Sequence, residues 1–170
     1  MPPATSSASD ALGAYLNDHL AGAAAGIQLA ERMSKGTSDE RLAALLDRFV
    51  KEFREDHGVL ERVMDAHGIT KDRAKQGIAL AGEWFTRLKH VAPLLRSGSD
   101  TLVALEDIEV LSLGIEGRAL MLRALQQIPS VIALGDVDLT TLEARARRQR
   151  EELEPFRLRF VAAAASPTAS

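Results

Sequence analysis

The sequence predicts an all-α protein, a four-helix bundle in which a helical crossover joins the second and third long helices. Apolar residues recur at spacings of three and four, which is the period of an amphipathic helix. No sustained alternation of apolar and polar residues predicts a strand. The chain has 170 residues, which suits one domain and is long enough to bury a core.

The composition excludes several classes of function. Hydrophobic residues make up 46% of the chain and charged residues 26%, which is typical of a globular protein. Cysteine is absent, so disulfides, iron–sulfur clusters and thiol catalysis are excluded. A net charge of −3 provides no basic field for nucleic acid, and no apolar run reaches the roughly 20 residues of a membrane span. Without a basic or apolar leader, we expect a cytoplasmic protein.

Four long amphipathic segments form the predicted bundle, with apolar residues on one face of each. They are helix A from Asp10 to Lys35, helix B from Asp39 to His67, helix C from Thr101 to Gln127, and helix D from about Asp138. Asp10 and Ser38 are predicted to cap helices A and B. We expect one domain over residues 10–165, with disordered tails at 1–9 and 166–170.

The connections predict how the helices run. The A–B and C–D connections are short, so each pair should form an antiparallel hairpin. The B–C connection is long enough to return along the bundle, which makes B and C parallel. Within it, a shorter helix is predicted from Thr70 to about His90. This connection and helix C are both strongly apolar, so the connection is expected to cover helix C, or the surface to form a homodimer.

Polar residues interrupt the apolar stripes at one height of the bundle. With the predicted directions, one such residue from each helix falls in the same layer: His19, Asp56, Glu116 and Gln149. A buried charge is costly unless it is paired or binds a metal. The layer is therefore either a hydrogen-bonded polar network that fixes the register of the helices, or a metal site.

This helical plan resembles the ferritin-like superfamily over residues 10–165. The superfamily's iron pattern implies a Glu on helices A and C and a Glu-x-x-His on helices B and D. Here Glu116 matches, with Glu109 two turns earlier on the same face. Helix A has His19 in place of Glu, helix B lacks the paired motif, and helix D has Gln149 and no histidine. The resemblance thus implies an incomplete di-iron centre, or a reduced site for a single transition metal ion at His19, Asp56 and Glu116.

Glycines inside the predicted helices are unusual, since each costs roughly 1 kcal/mol of helix stability relative to alanine. Gly22 and Gly26 lie on helix A, and Gly114 and Gly117 on helix C. With the predicted directions Gly22 is level with Gly114, so we expect the small residues to let helices A and C pack closely. The alternative is room for a ligand or for a helix of a second subunit.

Two hypotheses for function follow. The first is a non-enzymatic ferritin-like bundle protein that lacks a complete di-iron centre and self-associates, as a homodimer. The second is a metal-binding protein that handles iron or a similar metal, or responds to stress. A small-molecule ligand in an apolar pocket is a third, and neither nucleic acid nor a membrane is expected as a partner. An arginine inside the layer, Arg145 or Arg148, would neutralise its carboxylates and exclude a cation.

Overall fold

The computed structural model describes residues 5–72, 100–132, 134 and 137–165, and every regular element in these ranges is a helix. In chain order the helices are α1 (Thr5–Gly36), α2 (Glu40–Ala66), α3 (Asp100–Leu125), α4 (Pro129–Ile132) and α5 (Leu139–Ala165). The all-α prediction is confirmed. Helices A, B, C and D correspond to α1, α2, α3 and α5, whereas the short α4 was not predicted. None of the described helices is long and apolar enough to cross a membrane.

The start of two helices differs from the prediction. Helix α1 begins at Thr5, since residues 5–9 contain neither proline nor glycine, and Asp10 therefore lies inside the helix. Asp39, and not Ser38, caps α2: its carboxylate accepts hydrogen bonds from the backbone N–H groups of Arg41 and Leu42 at 2.9 and 3.1 Å. The turn after α2 contains Gly68 with φ 64°, a left-handed conformation that favours glycine.

Two apolar clusters show how the four long helices run. One cluster joins the C-terminal part of α1 to the N-terminal parts of α2 and α3. The other joins the N-terminal part of α1 to the C-terminal parts of α2 and α3 and to the start of α5. Helices α2 and α3 therefore run in the same direction, and α1 and α5 run opposite to them. The α3–α5 and α1–α2 pairs make the largest contacts, α1 also packs against α3, and α2 only lightly against α5.

The first residues of the connection after α2 are bound by a side chain of α1. The buried Asn17 side chain donates hydrogen bonds to the carbonyl oxygens of Gly13 and Thr70 at 2.9 and 3.0 Å. It also accepts one from the backbone N–H of Asp72 at 2.7 Å. Beyond residue 72 the predicted crossover helix lies outside the described residues, as do residues 1–4 and the tail at 166–170.

The Asn17 contacts lead to a first prediction. Replacement of Asn17 by alanine removes all three hydrogen bonds. It should lower the free energy of unfolding by about 1–3 kcal/mol, because three backbone groups lose their side-chain partner. The matched control is Gln28→Ala on the exposed side of α1, which should change the free energy by less than about 0.5 kcal/mol. Urea unfolding compares the two variants, and equal effects would contradict an anchoring role for Asn17.

Candidate functional site

A carboxylate on α2 lies at the centre of the polar layer. Asp56 belongs to the buried face of α2 that includes Phe49, Phe53 and Leu60, and its side chain is 4% exposed. Its Oδ2 lies 3.0 Å from Nη1 of Arg118 on α3, and its Oδ1 accepts a hydrogen bond of 3.1 Å from Nη1 of Arg145 on α5. Two guanidinium groups therefore neutralise one buried carboxylate.

The buried amide of Gln149 links Arg118 to a second carboxylate on α2. Gln149 on α5 is fully buried; its Oε1 accepts a hydrogen bond from Arg118 Nη2 and its Nε2 donates one to Glu52 on α2. Arg145 also binds Glu55 at 2.9 Å. We use the name arginine layer for the five residues that link α2, α3 and α5, which are Glu52, Asp56, Arg118, Arg145 and Gln149.

Burial acts on both charges of the central pair. It raises the pKa of the Asp56 carboxyl, and the positive charges of Arg118 and Arg145 oppose this rise. It lowers the pKa of the Arg118 guanidinium, and the negative charge of Asp56 opposes that fall. Arg118 also lies over the ring of Phe53, with Cζ 4.6 Å from the ring centroid, which is a cation–π contact. Each charge is tolerated in the core because the other is present.

The central pair leaves two atoms without a hydrogen bond. Among the described residues, Asp56 Oδ2 and Arg118 Nε are buried and have no hydrogen-bond partner. The 3.0 Å contact between Oδ2 and Arg118 Nη1 is an ion pair without hydrogen-bond geometry. One acceptor and one donor in the core are therefore unsatisfied, which is unusual for buried polar atoms.

The structure brings together only part of the predicted layer. Asp56 and Gln149 belong to the arginine layer, as described above. His19 on α1 is half-buried, stacks edge-on against Tyr15 with ring centroids 4.6 Å apart, and borders the same cavity as Asp56. Burial lowers the pKa of the His19 imidazole, and the charge of Asp18 partly opposes this shift.

Glu116 and Glu109 lie on the outer side of the α3–α5 contact. Glu116, with its side chain 37% exposed, binds Arg150, and Glu109 lies 3.4 Å from Arg157. Arg123 and Glu143, 3.0 Å apart, continue the same row at a spacing of seven residues. Since Ile115 faces the core, its neighbour Glu116 is turned about 100° away from it. The predicted height of Glu116 agrees with its α5 neighbour, whereas the predicted inward face was wrong.

These positions leave no cluster of metal ligands in the described part of the chain. Glu116 is bound to Arg150 at the surface and Asp56 to two arginines inside, so His19, Asp56 and Glu116 do not form a group. No set of three or more His, Asp or Glu side chains among the described residues is arranged to hold a metal ion.

Sequence reasoning missed the central role of Arg118. It lies three residues after Ile115 and four before Leu122, two buried residues of α3, so the apolar period already placed it inward. We expected an internal arginine from α5, either Arg145 or Arg148. That expectation is met by Arg145, while Arg148 lies nearer the surface and is 3.5 Å from Glu52.

A cavity of about 490 Å³ lies between α1, α2 and α3. Gly22, Gly26, Gly114 and Gly117 border it, and a Cβ atom added at any of them would meet no atom of the described residues within 4 Å. The expectation that these glycines allow α1 and α3 to pack closely was wrong, because their missing side chains leave open space. Asp56 and Arg118 form part of the cavity wall, which is otherwise mainly aliphatic.

Comparison with known proteins does not add to this description. No family model, curated protein or solved structure matches the chain. What the site can do must therefore be argued from its own residues: a neutralised, buried polar layer beside an open apolar cavity.

The opposing effects on Asp56 lead to a prediction about pH. The pKa of Asp56 in the folded state lies above the ordinary 3.8. The protonated carboxyl therefore adds to the free energy of unfolding at low pH, and this contribution is lost as the pH rises through the folded-state pKa. Arg118→Met removes a positive charge that opposes this rise. The pKa of Asp56 should therefore rise further, and the loss of stability with increasing pH should be larger. Each added pKa unit corresponds to about 1.4 kcal/mol.

The measurement is urea unfolding between about pH 4 and pH 8. We expect Arg118→Met to lose more stability with rising pH than the unchanged protein, and Asp56→Asn in the same background to abolish the difference. Asp107→Asn, at a more exposed ion pair with Arg32, is the control and should not abolish it. Parallel pH profiles for the unchanged protein and Arg118→Met would show that the two side chains are not coupled.

Proposed function

We propose that this chain is a non-enzymatic, ferritin-like four-helix bundle protein in which arginines lie where that superfamily binds metal. The observation that carries the proposal is the binding of Asp56 by both Arg118 and Arg145. A cation at Asp56 would have to displace two guanidinium groups and would face their positive charge. The directions of the four long helices, with α2 parallel to α3, support the ferritin-like arrangement.

Self-association is the second part of the proposal, and the surface of α3 supports it. Leu113 and Leu120 are 63% and 50% exposed, lie two turns apart and have Gly117 between them. If a second copy of α3 packs antiparallel across this surface, Leu113 of one copy meets Leu120 of the other. The contact is then the same on both copies, as a two-fold dimer requires. The absence of a side chain at Gly117 lets the helices approach near the axis.

The metal-binding alternative is tested by elemental analysis. Protein purified without chelator, and again after reconstitution with ferrous iron, should contain far less than one transition metal ion per chain. The reason is that the arginines already compensate the charge of Asp56. His19→Ala combined with Glu116→Ala is the matched comparison. About one bound metal per chain that is lost in this double variant would establish the alternative.

The dimer is tested by sedimentation equilibrium. Leu113→Glu combined with Leu120→Glu places charges in the proposed contact and should weaken self-association at least tenfold. Leu158→Glu on α5 is the control, since Leu158 is 52% exposed and lies on another helix. A monomer at all accessible concentrations, or equal weakening by the control, would contradict the proposed surface.

A further inference from the structure

We propose that the cavity between α1, α2 and α3 binds a neutral, mainly aliphatic molecule. Its volume of about 490 Å³ lies within the range of about 300–1,000 Å³ that is usual for small-molecule sites. This inference goes beyond the function proposed above. It does not depend on the metal content of the protein, whereas Leu113 and Gly117, which border the cavity, also belong to the proposed dimer contact.

The cavity is formed by positions where the sequence omits side chains. Four glycines from two helices border it, two from α1 and two from α3. Glycine is unfavourable inside a helix, and within the described part of the chain none of the four approaches another element closely enough to require it. The glycines therefore do not serve helix packing. What they have in common is the space that they leave between α1 and α3.

The wall provides the chemistry of an apolar ligand. Leu60, Val63, Leu111 and Met121 are among its buried aliphatic residues. Asp56 and Arg118 also border the cavity, but the Oδ2 and Nε atoms that lack hydrogen-bond partners are buried beneath its surface. A ligand in this cavity therefore contacts mainly aliphatic groups.

The charges of the wall disfavour an anion. Among the described residues that border the cavity, Asp18 and Asp56 are acidic and Arg118 alone is an arginine or lysine. Arg118 is already paired with Asp56. The imidazole of His19 is neutral near pH 7, because burial lowers its pKa. The second histidine of the wall, His57, lies 3.8 Å from a carboxylate oxygen of Glu61. A carboxylate ligand would thus bring a further negative charge to a wall whose arginine is already paired, whereas an alcohol would not.

The test compares two probes of equal chain length, 1-octanol and octanoate, with the full chain at neutral pH. Binding is followed by two-dimensional ¹H–¹⁵N spectra and by isothermal titration calorimetry. We expect 1-octanol to bind at least about tenfold more tightly than octanoate. Equal affinities, tighter binding of octanoate, or no binding of 1-octanol up to its solubility limit would overturn the proposal.

Two separate variants fill the cavity, Gly22→Leu on α1 and Gly114→Leu on α3. Each should weaken octanol binding at least about tenfold and leave the melting temperature of the free protein unchanged or raised, because the new side chain occupies empty space. Gly58→Leu is the matched control, since Gly58 lies inside α2 and is not among the described residues that border the cavity; its octanol affinity should not change. A fall in melting temperature for both filling variants, with none for the control, would show that polypeptide already occupies the space and would overturn the proposal.

Discussion

The buried pair of Asp56 and Arg118 is the contact on which the centre of the protein depends. It joins α2 to α3, two helices that pack mainly against α1 and α5 rather than against each other. Either charge alone would be costly in the core, so the pair requires that both helices keep their height and their rotation. Arg145 and Gln149 add α5 to the same contact. The layer therefore specifies the relation of three helices at one level.

The two sides of the bundle differ in their chemistry: one is rich in ion pairs and the other contains a cavity. On the side of α5, arginines bind carboxylates of both neighbouring helices, with Arg150 and Arg157 contacting α3 and Arg145 and Arg148 contacting α2. The arginine-rich stretch of α5 is thus a salt-bridged surface, as its mixture with glutamates had indicated. On the side of α1 and α3, the glycines leave a cavity. One side is held by charge, and the other has room for a ligand.

The sequence was sufficient to predict the four long helices and the common level of Asp56 and Gln149. Helical periodicity locates the buried face of a helix, and the lengths of the connections restrict the directions. The rotation of each helix was harder to predict: Glu116 and Arg118 both lie near the edge of the apolar stripe of α3, and a turn of about 100° per residue decides which one faces inward. The glycines had two opposite explanations, because a missing side chain permits both close packing and an empty space. Only the positions of the neighbouring atoms distinguish them.

The most direct test of the arginine layer is the ¹⁵N NMR spectrum of the arginine side chains. Arg118 should give a guanidinium Nε–H signal that exchanges slowly with water and keeps its position when salt is added, because the side chain is buried beside Asp56. Arg32, which is exposed, is the internal reference and should exchange quickly. If the Arg118 signal exchanges and responds to salt as that of Arg32 does, the arginine is not in the core. The carboxylate of Asp56 would then be paired with Arg145 alone, which would contradict a layer built on two arginines.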